Sequence, residues 1–394
     1  MSRWVGVEVT TAYVARAALV SVGFLLRVLP RRNKVTMLTR QSATPSDDFL
    51  RLRDAILRAD PTLEVVVIAR MVPPGVLRKF GYVFHLLAQM YHAETSRVLI
   101  VDGYSLIASA VGRSHGLRVV QTWHALGSLK KFGLSILGQA GGRDPRLARA
   151  MRMHTRYDLV VASAERCRVP FAEALGVDVA KVVVAPLPRV DRLRDTGERA
   201  RARAAFDANY PSLASERIAL FAPTFRSGGE HAETDPVELT RALRRAGYAL
   251  ITKLHPLVAP PDHPEVHTAP GMSTQQLLLV ADVFITDYSS AIFEAAVAGV
   301  PSYLLAPDLD EYAVSRDFYA KYPGELGIPF AVTVNEVVMQ IAAGLSTKED
   351  ARRLREAWVE VPDGELAADR LARIVLGGSD ENPPEVKRPP GLDQ

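Results

Sequence analysis

Four short stretches of this sequence join proton-moving or anion-holding side chains to the ends of apolar runs. Gln121-Thr-Trp-His-Ala-Leu-Gly-Ser-Leu-Lys-Lys-Phe-Gly133 follows the apolar run Arg118–Val120. A histidine at the carboxyl end of a strand, beside a glycine-containing loop, stands where α/β folds place reacting groups. His124 has the side chain of a general base, because imidazole titrates near neutral pH; read from its neighbours alone, it serves equally well as a hydrogen-bonding residue that holds the loop. Phe221-Ala-Pro-Thr-Phe-Arg226 and Thr252-Lys-Leu-His-Pro256 also close apolar runs with cationic groups. Arg226 suits two-pronged contact with phosphate, and His255 would donate one hydrogen bond from a turn stiffened by Pro256.

The fourth stretch, Ala281–Pro301, is the most informative. Its apolar run ends at Thr286, and Asp287-Tyr-Ser-Ser290 then opens a helical pattern. Free backbone N–H groups and the positive end of a helix dipole at that point make a diphosphate site. Ser289 and Ser290 would add hydroxyl donors, and Glu294, one turn in, would accept from a ribose hydroxyl. Asp287 is expected to cap the helix or orient a donor, since a bare carboxylate would repel a diphosphate. No cluster of carboxylates offers a dedicated metal site, although a diphosphate can bring Mg²⁺ with it.

Two basic regions stand apart from these segments. Arg146, Arg149, Arg152 and Arg156 recur every three or four residues, so a helix over Pro145–His154 would gather them on one side for a polyanion or anionic headgroups. At the N-terminus, residues 1–34 carry six of the 48 basic residues and one of the 44 acids, leaving 42 against 43 elsewhere. The net charge of +4 therefore resides there and gives no general argument for nucleic acid. Between Arg16 and Arg27 lies an apolar run about half the ~20 residues that a membrane span requires, and no signal-peptide cleavage pattern follows it. With Arg16, Arg27, Arg31 and Arg32 it reads as a basic helix lying on an anionic bilayer, or as a first helix packed on the core.

The elements that must carry these groups follow from periodicity. Ten short β-rich runs, from Lys34–Thr39 to Ser302–Leu305, alternate with helical patterns such as Asp47–Arg58, Leu77–His92, Asp235–Ala246 and Ser290–Ala298. Near-continuous apolar strands between helices indicate parallel sheets covered on both faces. Ten strands in 394 residues suit two such sheets better than one. The expected fold is α/β: two facing doubly wound parallel-sheet domains of Rossmann type with a ligand cleft between them. The expected boundaries are a basic helix over 1–33, a first domain over 34–195, a second over 196–376 and a frayed tail over 377–394. The Arg-rich stretch Asp191–Ala204 marks the changeover. Composition, 48% hydrophobic and 23% charged, excludes long disorder, collagen-like repeats and coiled coil. The single cysteine, Cys167, excludes an intramolecular disulfide and Cys-rich metal sites, and fits a reducing cytoplasm.

Taken in order, these segments resemble the CDP-glycerol glycerophosphotransferases of teichoic-acid and capsule synthesis. The matching pieces are Gln121-Thr-Trp-His-Ala with Leu129-Lys-Lys-Phe-Gly133, Tyr157-Asp-Leu-Val-Val-Ala-Ser163, Pro188-Arg-Val-Asp191, Ala222-Pro-Thr-Phe-Arg226, Leu254-His-Pro256, Ala281–Pro301, Pro307-Asp-Leu-Asp-Glu-Tyr312 and Arg316-Asp-Phe-Tyr319. The resemblance implies the two-domain GT-B glycosyltransferase architecture, an enzyme at the inner face of the membrane, and transfer of glycerol phosphate from CDP-glycerol to a lipid-linked or polysaccharide acceptor with release of CMP. On that basis the second domain holds cytidine diphosphate through Arg226, Thr286, Asp287, Ser289, Ser290 and Glu294. His124 becomes the base and His255 a second catalytic group on the leaving CMP. Trp123, Lys130, Lys131, Arg189 and Asp191 fall on the acceptor side. The anionic membrane surface is a further partner, no tightly bound cofactor is implied, and a homo-oligomer is compatible. Two positions depart from the family pattern: Ala125 stands where glycine is usual, and Val190 where asparagine is common. The same chemistry on CDP-ribitol or another CDP-polyol is the second reading, and a UDP-sugar transferase or epimerase on the same fold the third.

Overall fold

The computed structural model describes residues 2–377 apart from 74, 113–115, 140, 225–233, 255–257, 259–262 and 316. Arg226, His255 and the expected tail beyond Gly377 therefore lie outside the described residues. All ten anticipated strands form: β1 Lys34–Thr39, β2 Glu64–Ala69, β3 Val98–Val101, β4 Arg118–Gln121, β5 Leu159–Ala162, β6 Val182–Val184, β7 Arg217–Phe221, β8 Tyr248–Thr252, β9 Val283–Thr286 and β10 Ser302–Leu305. An eleventh, β11 Phe330–Ala331, has two residues, too short for an alternation pattern to reveal.

The strands make two all-parallel sheets, ordered β2-β1-β3-β4-β5-β6 and β11-β10-β9-β7-β8. Their interiors are buried valine, isoleucine and leucine, as strands covered on both faces require. In each sheet the chain order reverses once. The reversal falls between β1 and β3 in the first sheet and between β7 and β9 in the second. Loops leaving the carboxyl ends of strands at such a reversal diverge and leave a crevice for ligand.

The molecule separates into two compact units. Unit 1 holds Met1–His124, Asp144–Pro188 and the chain from Pro362 on; unit 2 holds Ala125–Arg143 and Arg189–Val361. The contacts do not follow a single changeover along the chain. The last helix, Ala367–Leu376, packs on Asp47–Ala59 in unit 1, where Arg58 meets Asp369 at 2.6 Å. The Arg-rich stretch at the expected changeover forms two helices, Arg189–Arg194 and Thr196–Asn209, the second capped by Asp195.

The N-terminal helix, Ser2–Leu26, is longer than the apolar run between its arginines. It continues through Arg16, whose Nε is buried. The segment Gly6–Leu26 has a mean hydropathy of 1.7, long and apolar enough to cross a membrane by length and composition, and 11% of it is buried. One side packs on the helices Val76–Glu94, Leu106–Ala110 and Pro145–Ala150. Gly23 permits that approach: a Cβ there would lie 2.9 Å from Glu94 Oε1 and 3.3 Å from Met90 Sδ. The other side leaves Val7, Val14, Phe24 and Leu25 exposed.

The expected arginine face over 145–154 does not form. The helix there ends at Ala150, and Arg152, His154 and Arg156 all take positive φ (46°, 57° and 96°). Burial of the His154 ring, with Nδ1 3.0 Å from the Tyr157 hydroxyl, turns the chain away from helical geometry. Arg156 instead donates to the Gly112 carbonyl, and Arg146 to Asp144, the cap of its own helix.

Candidate active site

In unit 1 the carboxyl ends of β1, β3 and β4 converge on His124. Its Nδ1 lies 2.8 Å from the carbonyl oxygen of Asp102. A carbonyl only accepts, so Nδ1 carries the proton and Nε2 keeps the lone pair that a base needs. Gln121 builds the loop: its Oε1 accepts from the Trp123 N–H at 2.9 Å and its Nε2 donates to the Gly103 carbonyl at 3.0 Å. Trp123 between them is held left-handed, at φ 60°, a conformation costly for a bulky residue. Its ring stacks on His124 with centroids 4.5 Å apart. Trp123 is thus a wall and spacer for the histidine. Beneath it, burial lowers the pKa of His154 to about 4 and raises that of Tyr157, so both stay neutral at physiological pH.

In unit 2 the reversal between β7 and β9 opens a pocket of about 830 Å³. Its walls include Lys130, Lys253, Ser273, Ser289, Ser290 and Glu294, and the loop Pro270–Gln276 closes one side. The polar groups expected around it divide into two sets. Ser289, Ser290 and Glu294 face the pocket. Thr286 and Asp287 are buried and shape it instead. The Thr286 hydroxyl donates to the Ala222 carbonyl at 2.7 Å, and Asp287 Oδ1 accepts from the Thr224 and Tyr288 N–H groups at 2.7 and 2.6 Å. Together they tie the end of β7 to the end of β9, which fixes the mouth of the pocket.

The helix Ala291–Ala298 begins there as expected, with Ser290 as its cap, but its first N–H groups are not left open. Ala291 donates to Ser289 Oγ, and Ile292 and Phe293 to the carbonyls of Ser289 and Ser290. Side chains and the helix dipole, rather than open amides, make this end attractive to an anion. Glu294 forms an ion pair with Arg189, both side chains about nine-tenths buried. That placement differs from the acceptor-side expectation for Arg189, and it leaves the Glu294 charge balanced.

Lys130 differs from that expectation too. The segment Ala125–Arg143 belongs to unit 2, and Lys130 Nζ donates to the Tyr312 hydroxyl at 3.3 Å and lies 5.8 Å from that ring's centroid. The Tyr312 ring stacks on buried Tyr288 at 3.9 Å, and the Tyr288 hydroxyl donates to Asp308 at 3.0 Å. Lys131 pairs with Asp317 at 2.6 Å. Asp191 lies on the helix Arg189–Arg194. Lys253, the first residue past β8, was noted only as part of a cationic segment; burial lowers its pKa, and its Nζ lies 3.4 Å from the Ala269 carbonyl. The signal for it was its place, directly beyond a strand at the ligand edge of the sheet.

Of the N-terminal arginines, Arg27 approaches buried Glu94 at 3.7 Å and Arg31 donates to the Ser96 carbonyl. They fasten the helix to unit 1, and Arg32 is exposed. Among the described residues no group of three or more His, Cys, Asp or Glu could hold a metal ion.

Comparison with known proteins accords with this geometry. Residues 22–377 match the sequence model of the family described as CDP-glycerol:poly(glycerophosphate) glycerophosphotransferase. The chain belongs to this family. It is accordingly an enzyme, a transferase of phosphorus-containing groups. Among its relatives, the teichoic acid ribitol-phosphate primase of Bacillus spizizenii is 29% identical over 94% of this chain and 96% of its own length. The teichoic acid glycerol-phosphate primase of Staphylococcus aureus is 27% identical over 65% of this chain and 68% of its own. A crystal structure of the wall teichoic acid polymerase TagF covers 93% of this chain and 96% of its own at a TM-score of 0.71 and 15% identity. That likeness establishes the two-domain fold of the family.

Proposed function

We propose that this protein transfers a polyol phosphate from a CDP-polyol to a hydroxyl of a lipid-linked or polysaccharide acceptor, with release of CMP, in teichoic-acid-type cell-envelope polymer synthesis. The observation that carries the reading is the unit 2 pocket, whose walls, among the described residues, present two ammonium groups and several hydroxyls, those of Ser273, Ser289 and Ser290 among them, while the one lining carboxylate, Glu294, is neutralised by Arg189. Such a lining suits a diphosphate diester with two negative charges. The family description favours CDP-glycerol. The full-length match to a ribitol-phosphate primase supports CDP-ribitol as the second reading.

The steps follow from the groups present. His124 Nε2 takes the proton of the acceptor hydroxyl while Nδ1–H stays on the Asp102 carbonyl. The oxygen attacks the phosphorus bearing the polyol and forms a new P–O bond. The bond from that phosphorus to the bridging oxygen breaks, and CMP departs with the electron pair. Lys130, Lys253, Ser289 and Ser290 bind the charge that builds on CMP, and Arg226 and His255, outside the described residues, join them on the family resemblance. Positioning and charge stabilisation supply most of the rate in such phosphoryl transfers, so one lost donor costs about a hundredfold or more.

The exposed apolar side of the N-terminal helix, with exposed Arg32 a few residues past its end, supports an enzyme at the inner face of the cell membrane, where lipid-linked acceptors lie. Release of CMP from CDP-glycerol and CDP-ribitol, and of UDP or UMP from a UDP-sugar, each with and without membrane lipid extract, tests the function. Lipid-dependent release from one CDP-polyol is expected. Release from the UDP-sugar alone would overturn the reading.

A further inference from the structure

The crevice at the chain reversal of the first sheet contains a cation that neither the motifs nor the chemistry above uses. Arg40 is the first residue past β1, and Asp102, Gly103 and Tyr104 follow β3, the strand beside it. Arg40 donates from a terminal guanidinium nitrogen to the Tyr104 carbonyl at 3.4 Å, and its guanidinium lies 5.8 Å from the centroid of the Tyr104 ring. Tyr104 is itself fixed: its hydroxyl donates to the Met151 carbonyl at 3.0 Å, and its ring meets His154 edge-on. The Nε of Arg40 is buried without a hydrogen-bond partner, and among the described residues Arg40 forms no ion pair.

This guanidinium belongs to the same loops that hold His124. The next residue, Gln41, has its amide 3.3 Å from His124 Nδ1, and the carbonyl that takes the Nδ1 proton belongs to Asp102, two residues before Tyr104. A half-buried, positionally fixed guanidinium with no carboxylate beside it calls for an external anion, and its planar fork fits a phosphate. A neutral sugar hydroxyl has no use for such a charge. An acceptor whose attacking hydroxyl belongs to a polyol phosphate carries an anionic phosphodiester a few bonds away.

We propose that Arg40 forms an acceptor-phosphate subsite beside the base, and so selects acceptors that already end in a polyol phosphate. The proposal rests on the function proposed above. The test compares two synthetic acceptors of equal chain length that present the same terminal glycerol: an alkyl phosphoglycerol and the corresponding alkyl glyceryl ether. The wild-type enzyme is expected to favour the phosphate-bearing lipid. Arg40→Met should lower kcat/KM for that lipid about tenfold to a hundredfold, with the ether and the donor KM changed less than about twofold, and Arg40→Lys should recover part of the loss. Equal losses on both lipids, or no preference in the wild type, would overturn it. Equilibrium binding of the two lipids, read without turnover, decides Arg40 separately: a phosphate-dependent difference that Arg40→Met abolishes supports the subsite, and its absence refutes it. Failure to release CMP with any acceptor would count against the proposed reaction alone.

Discussion

Removing the ammonium groups of the unit 2 pocket one at a time is the sharpest test of the donor assignment. A CDP-polyol brings two negative charges to a site whose lining cations, among the described residues, are Lys130 and Lys253. An ammonium 4 Å from a phosphate charge is worth about 4 kcal/mol at an effective dielectric constant of about 20. Desolvation and lost water contacts reduce a charge-assisted hydrogen bond to a net 1.5–3 kcal/mol or so. Lys130→Met and Lys253→Met should therefore each weaken CDP binding by about 10- to 150-fold. Calorimetric titration with CDP, CMP and cytidine separates charge from shape. Both variants should bind cytidine within about twofold of the wild type, and the salt dependence of CDP binding should become shallower. Burial also depresses the Lys253 pKa, so its ammonium loses its proton at a lower pH than an exposed lysine does. Anion binding needs that proton. CDP affinity should then fall as pH rises toward the lysine range, and Lys253→Met should remove part of that fall. If CDP binding is unchanged in both variants, or cytidine is lost along with CDP, the diphosphate lies elsewhere.

Four further outcomes follow from unit 1. His124→Ala should abolish transfer and leave CDP affinity intact; a loss of CDP binding in a folded variant would refute its assignment as the base. Gln121→Met, which removes the bonds to Trp123 and Gly103, should lower kcat with little change in donor KM and should alter the acidic limb of the pH–rate profile; an unchanged profile would deny Gln121 its positioning role. Replacing Val14, Phe24 and Leu25 together by glutamate charges the exposed side of the N-terminal helix but leaves its packed side alone, so the protein should no longer sediment with anionic liposomes; undiminished sedimentation would place membrane contact elsewhere. Because His154 titrates near 4 when folded and near 6.5 when unfolded, the unfolded chain binds the extra proton, and stability should fall progressively below pH 6.5. At about 1.4 kcal/mol per pKa unit the full loss, for a pKa lowered from 6.5 to about 4, is roughly 3 to 4 kcal/mol, and His154→Phe should flatten that slope in urea melts.

Much of the architecture was legible because parallel strands buried on both faces read as apolar runs. That signal located ten strands, and with them the strand end at Thr286 after which Ser289 and Ser290 stand. It failed where geometry depends on individual side chains. Nothing in the arginine spacing of 146–156 announces that a buried His154 and three left-handed residues will end the helix at Ala150. Thr286 and Asp287 are among the residues that the family resemblance implies around the cytidine diphosphate. Their roles are set by the Ala222 carbonyl and the Thr224 N–H, partners more than sixty residues away in sequence. The same separation hid Arg189 on Glu294 and Lys130 on Tyr312, pairs that only the folded chain reveals.

The departure at Ala125 becomes intelligible on these terms. Glycine is demanded where φ is positive or where a Cβ has no room, and Ala125 is not among the positive-φ residues of the loop. The left-handed positions are Trp123 at 60° and Gly127 at 68°, and at Gly127 a Cβ would stand 2.2 Å from the Phe293 ring. An alanine between them is therefore compatible with the same backbone, and it gives no structural ground for reading the chain as an inactive relative. His124 ends one stretch of unit 1 and Ala125 begins a stretch of unit 2, with Lys130 five residues further on. The chain thus runs directly from His124 into the segment whose Lys130 lines the unit 2 pocket. Gly127, and not residue 125, is thus the position of this loop at which both the backbone and the space beside it require glycine.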